Sequence, residues 1–280
     1  MRFSLELPVG DPAAIPTAAA AIEAAGFDAC FVTDHPAPSR EWLDHGGHPT
    51  LDPLVALGAA AAATSGLRLQ TNCLIPAYRH PLTTAKAVAT LDAISGGRVI
   101  LGVAVGYLEA EFAALGVPFD DRAARFDEAV GTMRAAWTDG LGTTVVGPHP
   151  VQQSGPPLWV GGNSTAAMRR AIAVGAGWSP FPARSATAAA VGTAPIVDLD
   201  ALAAAIVCFR QLAVAADRDP EAYDICFTPF SHPAHREVID PDALVTEARE
   251  LAAIGVTWCA LRVPASAWVD YGAAVREVGE

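Results

Sequence analysis

The chain has 280 residues, 18 basic against 30 acidic, a net charge of −12 and a hydrophobic fraction of 52%. That is enough apolar material for a large core, yet no apolar run approaches the roughly 18 residues of a membrane span. The acidic balance disfavours nucleic acid and anionic membranes as partners, so any bound anion needs a local site. Residues 1–5 run straight into a strand-like segment, and no signal peptide is expected. From there short β-rich runs alternate with longer alanine-rich stretches. The predicted order is strand 3–7, helix 12–25, strand 29–33, a polar loop, helix 53–64, strand 67–73, helix 81–94 and strand 98–105. A helical stretch with acidic residues follows, then helix 120–137. The second half reads as strand 157–160, helix 165–174, a short strand 177–180, helix 199–215, strand 223–228, helix 241–253, strand 256–263 and a helical C-terminal stretch.

Eight strand-then-helix units predict an α/β fold of the (β/α)₈ barrel type, as one domain over 1–280. A doubly wound sheet is disfavoured because the first strand leads into Pro8-Val9-Gly10-Asp11-Pro12, with no G-x-G-x-x-G turn. Residues 185–194 read either as a loop over the barrel mouth or as an inserted helix.

The five cysteines, Cys30, Cys73, Cys208, Cys226 and Cys259, are widely spaced and lack a C-x-x-C pair, as expected of reduced cysteines in a cytoplasmic protein. Lys86, in a helix-like stretch, is the one lysine beside 17 arginines, which argues against Schiff-base and pyridoxal chemistry; a P-loop is absent.

Ligands of such barrels sit where the strands end. Asp34 and His35 follow the second strand, Thr71, Asn72 and Cys73 close the third, and Gly106 and Tyr107 follow the fourth, with Glu111 a turn later. Gly161, Gly162, Asn163, Ser164 and Thr165 follow the fifth, and Trp178, Ser179 and Pro180 form and end the sixth. Paired glycines let a backbone approach a ligand, and the helix that opens at Asn163–Thr165 presents free N–H groups suited to a phosphate. The simpler alternative is that Asn163 or Ser164 only caps that helix. His35 is a candidate proton carrier or a histidine hydrogen-bonded in the barrel wall. His45 and His48 flank two glycines, which makes a poor metal site; they and Trp42 read as contributors to a substrate-facing loop, or in the case of Trp42 as packing. His232 and His235 beside Pro233 read as a surface loop, and no metal is expected.

Four blocks resemble the bacterial-luciferase-like oxidoreductases, specifically their deazaflavin-dependent branch. They are Gly26-Phe27-Asp28 with Val32-Thr33-Asp34-His35; residues 67–72 leading to Arg79-His80-Pro81; Leu91-Asp92-Ala93-Ile94-Ser95-Gly96-Gly97-Arg98 with Gly106-Tyr107 and Glu111-Phe112; and Pro157-Leu158-Trp159-Val160-Gly161-Gly162 with Gly177-Trp178. The resemblance implies a barrel that binds coenzyme F420, or flavin mononucleotide (FMN) as the alternative. It implies that His35 lies beside the reactive ring with Asp34 positioning ligand groups. Thr71, Asn72 and Cys73 would form a bulge with a non-proline cis peptide. Gly106 and Tyr107 would line the cofactor channel, while Gly161 to Thr165 and Trp178 to Pro180 would hold the phosphate-bearing tail. A homodimer is implied as well. The expected activity is hydride transfer between F420 and a small alcohol, carbonyl or activated alkene. The alternatives are an FMN-dependent monooxygenase and a catalytically weak F420-binding protein. The resemblance weakens after Phe181, where substrate contacts would lie, and Tyr107 stands where tryptophan or a smaller residue is common.

Overall fold

The alternation of apolar strands and capped helices carries through the computed structural model, which describes residues 1–138, 140–231 and 240–279. Eight strands, β1 (Arg2–Glu6), β2 (Ala29–Val32), β3 (Arg68–Leu74), β4 (Val99–Val103), β5 (Leu158–Gly161), β6 (Gly177–Ser179), β7 (Asp224–Phe227) and β8 (Trp258–Leu261), close in sequence order into a barrel. The last pairing to be made is parallel, with Phe3 opposite Cys259 and Leu5 opposite Leu261. Each predicted strand is present within about two residues of its expected ends. The chain divides into two compact units, one of Leu7–Ala19 and Phe31–Pro157, the other of Met1–Glu6, Ala20–Cys30 and Leu158–Glu280.

In the first of these, β4 is buried along its whole length. It carries Gly102 where an added Cβ would stand 2.1 Å from the Thr71 carbonyl oxygen, so glycine is what lets β4 close on β3. The β3–β4 register shifts between Thr71 and Leu74, and the Asn72–Cys73 peptide in that bulge is cis. Both features were expected of Thr71–Cys73. Helix α1 (Ile15–Ala25) lies between β1 and β2 in the chain; the helices here are α2 (Arg40–Asp44), α3 (Pro53–Ala63), α4 (Pro81–Ser95), α5 (Glu109–Ala114) and α6 (Arg122–Trp137). Asp52 caps α3 by accepting from Leu54 and Val55, ahead of a proline at the first helical position. Helix α2 lies in what the sequence reads as a polar loop. It has only five residues and no apolar period, and its start is set by the Ser39 hydroxyl, which accepts from Trp42 N–H at 3.2 Å.

The Asp92–Arg98 block, the densest part of the resemblance, is structural. α4 ends on Gly96 in the left-handed region. The Arg98 guanidinium then donates to the carbonyls of Ser95, Ala61, Thr64 and Leu67 and to the Thr64 hydroxyl, all within 3.0 Å. It thereby satisfies the Ala61 carbonyl in the last turn of α3 and that of its C-cap, Thr64, which the helix itself leaves without a partner. Asp92, fully buried, accepts both the backbone and side-chain N–H of Gln152. Arg98→Ala strips several carbonyls of their donor at once and is expected to lower the unfolding free energy by about 2–3 kcal/mol. A urea midpoint equal to wild type would refute that role.

The second unit packs around large side chains. Trp159 and Trp258 meet edge to face with ring centres 5.2 Å apart, and Trp178 stacks on Phe209 at 5.1 Å. Its helices are α7 (Thr165–Val174), α8 (Ser185–Val191), α9 (Leu199–Ala215), α10 (Pro241–Ala253) and α11 (Trp268–Gly279). The two readings of residues 185–194 resolve as a short helix, α8, ending on left-handed Gly192 and flanked by a bridge between Ala183 and Ile196. Among the described residues, no helix is long and apolar enough to cross a membrane. None of the five cysteines is in a disulfide; Cys30, Cys226 and Cys259 are buried, and burial pushes the Cys259 thiol well up. His232 and His235 lie outside the described residues.

Candidate functional site

In the unit of Leu7–Ala19 and Phe31–Pro157, the ends of β2, β3 and β4 place a cluster of polar groups around one carboxylate. Glu111 sits in the first turn of α5 and is fully buried. Its Oε1 accepts the Ala37 N–H at 3.0 Å; its Oε2 accepts the Tyr78 hydroxyl at 3.0 Å and lies 3.2 Å from His35 Nδ1. Burial disfavours the charged form, but the neighbouring His35 and the hydrogen bonds from Ala37 and Tyr78 outweigh it and hold the Glu111 carboxyl below its usual range. The same burial, with the Glu111 charge beside it, pushes the Tyr78 phenol far up.

His35 follows β2 and is largely buried. Thr50 clamps its backbone on both sides: the hydroxyl accepts the His35 N–H at 3.1 Å and donates to the His35 carbonyl at 3.2 Å. Trp42 lies against the imidazole with ring centres 4.6 Å apart, while His48 and Tyr107 stand edge-on at 5.6 and 6.0 Å. The His45–His48 turn folds down on Trp42, since a Cβ at Gly47 would enter the indole ring. Among the described residues, no group of three or more His, Cys, Asp or Glu side chains is placed to hold a metal ion. His45 Nδ1 bonds to the Glu41 carbonyl, and His48 Nε2 lies 3.4 Å from the Thr33 hydroxyl.

Asp34 is engaged by the protein itself. Its carboxylate accepts Arg79 Nη1 at 2.6 Å, Arg79 Nη2 at 2.8 Å and the Ile75 N–H at 2.9 Å. Burial works against the Arg79 charge, but Asp34 and Asp52 together raise its pKa. Thr71 donates its hydroxyl to the Gly102 carbonyl at 2.7 Å, and Asn72 and Cys73 flank the cis bond half-buried. Gly106 adopts φ +88°, and a Cβ there would meet the Phe112 ring at 2.8 Å, so this glycine serves the packing under α5. Tyr107 is exposed.

In the other unit, the predicted phosphate residues hold one another. Gly162 donates its N–H to the Ser179 carbonyl and accepts from Trp178 Nε1 at 2.8 Å. The buried Asn163 amide donates to the carbonyls of Phe181 and Ala194 and accepts the Phe181 N–H, all at 2.9 Å. Ser164 caps α7 by accepting the Ala167 N–H at 3.2 Å. Pro180 is buried and Thr165 is exposed at the first position of α7. The side chains of Asn163 and Ser164 are therefore loop tie and helix cap. Of the predicted residues, Thr165 is exposed at the start of α7, where the first-turn amides of Thr165 and Ala166 have no intrahelical acceptor.

The partnership of His35 with Glu111, and those of Arg79 and Tyr78 with their carboxylates, are not readable from local pattern. The partners are 76, 45 and 33 positions apart, and only the fold brings them together.

A family model described as luciferase-like monooxygenase matches residues 4–257. An uncharacterized protein of Mycobacterium tuberculosis (strain ATCC 25618 / H37Rv) is 36% identical over 209 residues, covering 65% of this chain and 73% of the relative. An F420-dependent glucose-6-phosphate dehydrogenase of Beutenbergia cavernae is 40% identical over 169 residues, 56% of this chain; the match spans 48% of that enzyme's length. Among solved structures, the monooxygenase RslO1 from Streptomyces bottropensis superposes with a TM-score of 0.75 at 21% identity, covering 99% of this chain and 98% of that one.

Proposed function

The chain belongs to the luciferase-like monooxygenase family, and from that membership we propose that it is an oxidoreductase using coenzyme F420 to move a hydride to or from a small alcohol, carbonyl or activated alkene. The observation that carries the reading is His35 at the end of β2, with one ring nitrogen on a buried carboxylate and Trp42 and Tyr107 beside the ring. The similarity to the F420-dependent dehydrogenase of Beutenbergia cavernae supports the coenzyme.

The bound coenzyme would supply or accept the hydride. The protein's part is the proton and the orientation. An alcohol that loses hydride also loses its hydroxyl proton, and the imidazole of His35 receives it; in the reverse direction His35 returns it to the carbonyl oxygen. Trp42 packs against the imidazole and Tyr107 stands edge-on beside it, and the Asn72–Cys73 bulge would offer backbone to the coenzyme's ring. For the phosphate, the donor set fits at Thr165 and the amides of Thr165 and Ala166, where the helix dipole favours an anion.

Fluorescence titration of the purified protein with both coenzymes tests the assignment. F420 is expected to bind at least about tenfold more tightly than FMN, about 1.4 kcal/mol. Equal affinity or an FMN preference would sink it and favour the second reading, a flavin-dependent monooxygenase. The family's description supports that alternative. Oxygen consumption with reduced flavin is its signature.

A further inference from the structure

We propose that Glu111 is the positioning residue of this site: it accepts the Nδ1 proton of His35 and so fixes the imidazole as the tautomer whose Nε2 lone pair faces the chemistry. The consequence for turnover rests on the acid/base reading of His35, whereas the tautomer rests on geometry alone.

The geometry leaves little choice. Oε1 of Glu111 meets a backbone N–H, that of Ala37, which only donates. Oε2 meets both the Tyr78 hydroxyl and His35 Nδ1. Two donors other than His35, the Ala37 N–H and the Tyr78 hydroxyl, meet this buried carboxyl and favour its ionised form, and an ionised carboxylate has no hydrogen to give. The hydrogen between Oε2 and Nδ1 therefore belongs to the imidazole. A neutral imidazole carries one such hydrogen, so Nε2 is left with its lone pair. Thr50 holds the backbone and Trp42, His48 and Tyr107 surround the ring, but among the described residues Glu111 is the one partner drawn to a ring nitrogen of His35.

Chemically, oxidation of an alcohol breaks the C–H bond with its electron pair leaving as hydride to the coenzyme. The O–H bond breaks with its proton passing to Nε2, and the C=O bond forms. The resulting imidazolium sits 3.2 Å from the Glu111 carboxylate, which is already paired and needs no reorganisation. Reduction of a carbonyl runs the same steps backwards.

The test is Glu111→Gln. The Ala37 N–H requires the carboxamide oxygen at the Oε1 position, which turns the NH₂ group toward His35 Nδ1. Nδ1 must then accept, and the proton moves to Nε2. Imidazole ¹⁵N NMR above the histidine titration range reads this directly, the His35 signals being those lost in His35→Gln. Expected are an Nδ1–H tautomer in the wild type and an Nε2–H tautomer in Glu111→Gln. The kcat of Glu111→Gln should fall by roughly 10²–10⁴, because the wrong tautomer cannot take the proton, with coenzyme affinity within a few-fold of wild type. An Nε2–H tautomer in the wild type overturns the proposal, and that measurement needs no variant to fold. An unchanged tautomer in Glu111→Gln overturns it too. Inversion of the tautomer with unchanged kcat upholds the geometry and overturns instead the acid/base reading of His35.

Discussion

Replacing His35 with alanine is expected to lower turnover on an alcohol or carbonyl substrate by roughly 10²–10⁴-fold, the usual worth of general acid–base catalysis, while coenzyme affinity stays within a few-fold of wild type. The split between rate and affinity follows from position. His35 stands at the end of β2 in contact with Glu111, Trp42 and Thr50, whereas the donors suited to a phosphate belong to the first turn of α7. The carboxylate tolerates the loss, since Ala37 and Tyr78 still donate to it. The pH–rate profile should lose one limb because the titrating group is gone. A barrel-wall histidine would behave otherwise: the melting temperature would fall and the folded fraction would turn over normally. An alkene reductase drawing its proton from a phenol would keep both rate and profile. Of the two phenols nearby, Tyr78 is committed to Glu111 and is a weaker acid for being buried beside it, so the exposed Tyr107 is the one placed for that role. Normal turnover by a well-folded His35→Ala protein retires the acid/base assignment.

Much of the barrel is legible in the sequence because its elements are local. The runs that became β2, β4 and β8 are continuously apolar, as strands buried on both faces must be, and α7, α9 and α10 begin where Ser164, Asp198 and Asp240 cap them. Helix α2 escapes because five residues give no period to read. At the site, the chain positions that deliver groups to the strand ends are legible, but their allegiance is not. Asp34 and His35 are adjacent and look alike as polar residues after a buried strand. One carboxylate is closed off by Arg79 and Ile75, while one imidazole stands among aromatic rings beside Glu111. Asn163 shows the same limit. Its amide makes three bonds to Phe181 and Ala194, residues 18 and 31 positions away, which no local pattern announces.

That closed allegiance gives the largest expected effect on stability. Asp34→Ala should lower the unfolding free energy by about 3–5 kcal/mol, the range for breaking a buried pair from one side. Asp34 is 3% exposed and accepts three charge-assisted or backbone bonds, so alanine leaves the Ile75 N–H without that acceptor and the Arg79 guanidinium with, among the described residues, only the exposed Asp52 at 3.2 Å. Against a typical total of roughly 5–15 kcal/mol, that is a large share of the protein's stability. Arg79→Ala should cost a comparable amount, because it removes the counter-charge and leaves the buried Asp34 carboxylate with the Ile75 N–H as its partner among the described residues. The double variant is the decisive member of the series. Two residues bonded to each other are not independent, so Asp34→Ala with Arg79→Ala should cost clearly less than the two single losses added together. Urea denaturation of the four proteins measures all of this without substrate or coenzyme. Additive losses would show that the two side chains act separately. A single variant of Asp34 with a wild-type midpoint but altered coenzyme affinity would return that carboxylate to the ligand, where the resemblance alone would place it.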